Sequence, residues 1–210
     1  MDRSLPTIYY KRNDMAKFTR RAIFDAFLEL LREKSLDKIT VKEIIETAEI
    51  NRNTFYYHFQ NIDDLLEKTF RDASDTFREE SNPDRTFYEE YMRTAEYLQS
   101  HKEAILHVYD SKSRDVLSQY LESAISHFVG RFVAKAAEGT ALSRAGIDYI
   151  TYFYTYAFIG ATLRWVEDRM PDYRDDLNRT IAGSFGATID PMIRMYIEGH
   201  SQIGKNSEFC

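Results

Sequence analysis

The 210-residue chain has one cysteine, Cys210, so no disulfide can form within it and a reducing compartment is expected. Glycine (8) and proline (4) are scarce, which disfavours a turn-rich all-β fold and favours long helices. No stretch reaches the roughly 18 uninterrupted apolar residues needed to span a bilayer. The most apolar run, Tyr149 to Val166, includes Arg164 and many tyrosines. The opening MDRSLPTIYYKRND holds no apolar stretch of signal-peptide length, so the cytoplasm is the expected location. Catalytic motifs are missing too: there is no glycine-rich phosphate loop, no G-x-S-x-G and no H-E-x-x-H. His101, His107 and His127 lack metal-ligand spacing. No enzyme activity, metal or cofactor is expected.

Hydrophobic residues make up 43% of the chain, enough for a real core. The net charge of −6 is uneven: residues 1–62 carry 11 Lys+Arg against 9 Asp+Glu, while 63–210 carry 17 against 25. The N-terminal part is therefore the better candidate for a polyanion partner, though only weakly on charge alone.

Periodicity predicts an all-α chain. Ile23, Phe24, Phe27, Leu28 and Leu31 form one face of a first helix starting near Thr19, after a leader. Thr40 followed by Glu43 is a capping box for a second helix that ends near Ala48. Glu49-Ile50 makes a turn, and Asn51 caps a third helix, Arg52 to about Phe59. A fourth, connecting helix covers 63–80, and Ser81-Asn82-Pro83-Asp84 reads as a linker. Further helices follow over about 85–98, 101–109, 114–137, 144–169 and 173–198, with a polar tail from 199. The expected domains are a leader and helix-turn-helix unit over 1–62, the connecting helix, and a C-terminal helical bundle over 81–210 that dimerises and can bind a ligand. Glu79-Glu80 and Glu89-Glu90 read as solvated helix faces.

The third helix is the most informative element. Phe55 and Phe59, four apart, should pack inward on the first helix, leaving Arg52, Asn53, Tyr56 and Tyr57 outward. Arginine can donate a forked pair to guanine, and asparagine can pair both ways with adenine. Hydroxyl and imidazole groups suit phosphate oxygens, and Thr40, opening the preceding helix, is placed for the same purpose. An ordinary surface helix would explain polar residues, but Tyr56, Tyr57 and His58 go around the helix and cannot share one core.

TVKEIIETAEINRNTFYYHFQNIDDLL resembles the N-terminal domain of TetR-family transcriptional regulators over residues ~17–70. Thr40 stands at the family's helix-opening threonine and Ala48 at its small turn residue. Thr54-Phe55-Tyr56-Tyr57-His58-Phe59 matches the signature of the reading helix, and Asp64-Leu65-Leu66 the start of the fourth helix. The resemblance implies that Thr40, Thr54, Tyr56 and His58 touch the DNA backbone, while Arg52, Asn53 and Tyr57 contact bases. Two positions depart from the pattern. Ile62 stands where a phosphate-binding lysine is common, and Asn53 where a small residue is common. The leader basics Lys11, Arg12 and Lys17 could compensate.

One reading helix covers few base pairs, so a two-fold dimer is expected to place two of them about 34–36 Å apart on DNA. Small and aromatic residues mixed in the last two helices suggest the interface: Phe153, Tyr156, Gly160 and Arg164, with Gly183, Gly186, Ile189 and Ile193. The resemblance implies the same four-helix dimer; a monomer core is the plainer reading of these residues. Candidates for an effector cavity are Tyr91, His107, Tyr109, His127, Tyr152 and Trp165, each of which could equally be core.

The leading expectation is a repressor released from a palindromic operator by a small-molecule effector. One alternative is a regulator that acts mainly through a protein partner, with weak or no DNA binding. Another is a small-molecule binder with a vestigial reader.

Overall fold

The computed structural model describes residues 8–80, 82, 84–172 and 176–206. The described residues are helical throughout apart from turns and connections. The elements are α1 (Ile8–Glu33), a 3-10 turn (Leu36–Lys38), α2 (Val41–Thr47), α3 (Arg52–His58), α4 (Ile62–Glu79), α5 (Phe87–Ser100), α6 (Lys102–Tyr109), α7 (Arg114–Ala137), α8 (Arg144–Glu167) and α9 (Asp176–Asn206). α1 begins earlier than expected. No glycine or proline interrupts 8–33, whereas its apolar stripe becomes legible only near Ile23. At the other end, α9 runs into the expected polar tail and passes through Pro191.

By compactness the chain divides into two units, and not at the linker 81–84. The first is 1–73 with 103–116; the second is 74–102 with 117–210. α6 thus belongs with the N-terminal helices. His107 Nδ1 donates to the Leu31 carbonyl at 2.6 Å, satisfying one of the carbonyls left open at the C-terminal end of α1. Ser113 Oγ donates to Asp63 Oδ1 at 3.0 Å. The first unit buries Ile23, Phe27 and Leu31 of α1, Ile44 of α2, Phe55 and Phe59 around α3, and Leu65 and Leu66 of α4. Phe24 and Phe59 meet at 5.5 Å between ring centroids, so the reading helix is seated on α1.

In the second unit α9 packs along α5 and α8. Its centre is aromatic: Phe87 stacks on Phe185 at 4.0 Å and approaches Phe158 at 5.1 Å and Phe128 at 5.6 Å. Thr86 and Glu89 form a capping box that opens α5. Glu90 corrects the expectation of a solvated acidic face, because only 1% of it is exposed. It lies in phase with buried Phe87, Tyr91 and Ala95 on the inward face of α5. Arg93 donates to Glu90 Oε1 at 2.7 Å and Arg85 to Oε2 at 3.4 Å, while the Arg131 guanidinium lies 4.0 Å away. α8 ends at Glu167, short of the expected Arg169, because Arg169 and Met170 both take left-handed backbone (φ 66° and 48°). That turn drives Met170 into the core, where it is fully buried.

Candidate nucleic-acid interface

The reading element is built from caps. Thr40 Oγ1 accepts from the Glu43 amide at 3.3 Å, and the Thr40 amide donates to Glu43 Oε2 at 2.9 Å, closing the expected capping box. Hydrogen bonds from Lys34 and then Thr40 hold the Glu43 carboxyl at about 2. After α2 the chain reverses at Glu49, whose φ of 52° is left-handed, and the Ile50 amide donates to the Ile45 carbonyl at 3.0 Å. Asn51 then caps α3, its Oδ1 accepting from the Thr54 amide at 2.9 Å.

α3 divides cleanly. Phe55 and Phe59 are buried, Arg52 and Asn53 are exposed, and Tyr56 and Tyr57 are 46% and 74% exposed. The Arg52 guanidinium lies 5.7 Å from the Tyr56 ring centre, so the two side chains are neighbours on one polar surface. Thr54 and His58 are half-buried. Burial first, then the charges of Arg20 and Lys68, lower the His58 pKa from its usual value and favour the neutral ring. The two threonine hydroxyls are already engaged: Thr54 Oγ1 donates to Asn51 Oδ1 at 3.0 Å, and Thr40 Oγ1 to Glu43 Oε2 at 2.9 Å. Donation from either to a phosphate requires that bond to be exchanged. Ile62 is half-buried. Lys17 is exposed, while the side chains of Lys11 and Arg12 lie outside the described residues.

Lys68 joins the site although it lies outside the reading-helix motif. Its Nζ donates to the His58 carbonyl at 3.1 Å and to Asp64 Oδ2 at 2.9 Å. The i, i+4 spacing of Asp64 and Lys68 was a legible signal for half of this arrangement.

A cavity in the second unit has room for about one water, about 10 Å³, and is lined by Tyr91, Thr94, Ala95, Leu98, Thr162 and Trp165. Only Tyr91 and Trp165 of the six candidates line it. Trp165 Nε1 donates to the Pro171 carbonyl at 2.8 Å. His107 and Tyr109 belong to the first unit, where Arg114 donates to the Tyr109 hydroxyl at 2.6 Å. His127 and Tyr152 are exposed, because helix phase turns them away from the core.

Of the expected interface residues, Phe153 and Tyr156 are 47% and 44% exposed, and Gly160, Arg164, Gly183 and Gly186 also lie on the surface. A Cβ added at any of those three glycines would meet nothing within 4 Å. Arg164 pairs with Glu167 at 3.1 Å and Asp168 at 3.0 Å. Ile189 and Ile193 are corrections: both are buried in the protomer's own core, one turn apart on the inward face of α9.

A capped helix-turn-helix that seats its aromatic face and exposes arginine, asparagine and tyrosine defines a DNA-binding protein of the helix-turn-helix class. The chain belongs to the tetR family of bacterial regulatory proteins, whose model matches residues 23–69, while a transcriptional regulator C-terminal region model matches 85–183. It is therefore a DNA-binding transcription regulator and not an enzyme. One curated relative is the HTH-type dhaKLM operon transcriptional activator DhaS of Lactococcus lactis subsp. lactis (strain IL1403), 36% identical over 70 residues. That match spans 33% of this chain and 36% of the relative's length. Among solved structures, the dihydroxyacetone kinase operon activator DhaS aligns with a TM-score of 0.64 at 17% identity, over 84% of this chain and 97% of that one. Native NalD, the secondary repressor of the MexAB-OprM multidrug efflux pump in Pseudomonas aeruginosa, aligns with a TM-score of 0.50 at 15% identity, over 85% and 96%. These two structural likenesses bear on the fold. Among the described residues no helix is long and apolar enough to cross a membrane, and no cluster of three or more His, Cys, Asp or Glu could hold a metal.

Proposed function

We propose that the chain works in the cytoplasm as a homodimeric repressor that binds a palindromic operator through α3 and is released by a small-molecule effector. The observation that carries the DNA half is the division of α3, with Phe55 and Phe59 buried while Arg52, Asn53, Tyr56 and Tyr57 face outward. Arg52, Asn53 and Tyr57 read bases, and Thr40, Thr54, Tyr56 and His58 grip phosphates. The exposed aromatics and bare glycines of α8 and α9 support the dimer. Release needs ~3–5 kcal/mol of differential effector affinity between conformers. The test is footprinting on a duplex that the protein selects from a random-sequence pool. Two-fold symmetric protection is expected; asymmetric protection, or none, sinks the reading.

Ile62, standing where a phosphate-binding lysine is common in the family, and the acidic balance of residues 63–210 favour a second reading. In this reading the regulator acts mainly through a protein partner and binds DNA weakly or not at all, and its effect on transcription need not be repression; the curated relative is described as an activator. Duplex binding measured against salt separates the two, because several phosphate contacts per dimer give a steep slope.

A further inference from the structure

We propose that Lys68 is a positioning residue for the reading helix, its ammonium tying the C-terminal end of α3 to the opening turns of α4. The inference rests on α3 being the base-reading element. α3 has seven residues, too few to hold their own shape in water, and its last carbonyls have no partner within the helix. Lys68 supplies one, donating to the His58 carbonyl at 3.1 Å.

The same ammonium donates to Asp64 Oδ2 at 2.9 Å, and that oxygen accepts from the Gln60 amide at 2.8 Å. One carboxylate and one ammonium thus close the chain on both sides of the α3–α4 corner. Asn61 completes it, its Oδ1 accepting from the Asp64 amide at 2.8 Å. Lys68 Nζ also lies 5.3 Å from the centre of the Phe59 ring, the ring that seats α3 on Phe24. Burial pushes the Asp64 carboxyl up, but the hydrogen bonds from Lys68 and Gln60 outweigh it and hold the group below the ordinary carboxylate range.

These contacts turn the ammonium inward, so Lys68 does not simply replace the phosphate-binding lysine missing at Ile62. Its effect on DNA is geometric. A tilt of about 10° at one end of a helix about 10 Å long moves the other end by nearly 2 Å. Arg52 and Asn53 stand at that other end, and a shift of this size breaks a forked hydrogen bond to a base edge.

The test compares wild type, Lys68→Met and Asp64→Asn on a duplex selected by the wild-type protein from a random pool and on a scrambled duplex, each across a range of salt. Both variants should lose about tenfold on the selected duplex, within the range of one lost base contact. Affinity for the scrambled duplex and the salt slope should stay put, so specificity falls by the same factor. A slope lower by about one per protomer makes Lys68 a phosphate ligand and overturns the proposal. Equal loss on both duplexes, or no loss, also overturns it. Amide exchange at Phe59 and Gln60 needs no DNA: it should quicken in Lys68→Met, and unchanged protection refutes the tie. A pool that yields no duplex counts instead against α3 as the reader.

Discussion

Glu90 shows how a single residue can carry a large electrostatic load. Its carboxylate is almost fully buried, yet three arginines from α5, its lead-in and α7 converge on it. The Arg93 guanidinium also lies 3.4 Å from the Phe77 ring centre and donates to the Phe77 carbonyl at 2.9 Å. Removing one partner of a buried ionic group leaves the others desolvated and uncompensated. We therefore expect Glu90→Gln to cost about 3 kcal/mol in urea unfolding, toward the lower end for such a loss because the arginines keep some water. A cost under about 1 kcal/mol would show the cluster to be ornamental. The residue was readable in principle, since it falls in the apolar phase of α5. A charge in an apolar phase, however, is normally a solvated neighbour of the face, and only the packing of α5 within the second unit shows that this one is buried.

At the scale of the element, the short helices of the reader depend on their caps. Thr40, Glu43 and Asn51 were legible because capping needs only the right side chain at a fixed offset from a local amide. Lys34, which reaches Glu43 from the end of α1, was not legible, because the contact depends on how the two helices meet. The pair makes α2 sensitive to acid. Lys34 first, and then Thr40, depress the Glu43 carboxyl to about 2 in the folded chain, against an ordinary value of 4.5. The unfolded chain therefore binds this proton more readily, and stability from the group is present above about 4.5 and lost as pH falls toward about 2. Stability measured from pH 6 down to 2 should fall less steeply in Glu43→Gln than in wild type over that window. Identical slopes would refute the assignment. The turn between the helices is legible in the sequence, but the left-handed backbone at Glu49 is not, since glutamate gives no sign of it.

At the scale of the whole molecule, the question is which surfaces meet other chains. On α8, Phe153 and Tyr156 are exposed to a degree unusual for large aromatics, and Tyr156 is held by a 2.7 Å hydrogen bond to Glu122. In the homodimer proposed above, Phe153→Arg should weaken association by about a hundredfold, as loss of an interface anchor does, with little change in the unfolding of the single chain. Light scattering across a concentration series reads the first and urea unfolding the second. An unchanged dimer would move the interface elsewhere. Ile189 and Ile193 are unsuited to the same test, because both are buried within the protomer.

The sequence by itself determined the helical class, the caps and turn of the reader, and which face of α3 carries the aromatics that seat it. These follow from local spacing: helical period sets a face, and a cap is satisfied within four residues. Only the tertiary structure decided that α6 joins the N-terminal helices, that Glu90 lies inside and that Lys68 reaches the His58 carbonyl. Each of those depends on how separate helices pack against one another, which periodicity along one helix does not encode.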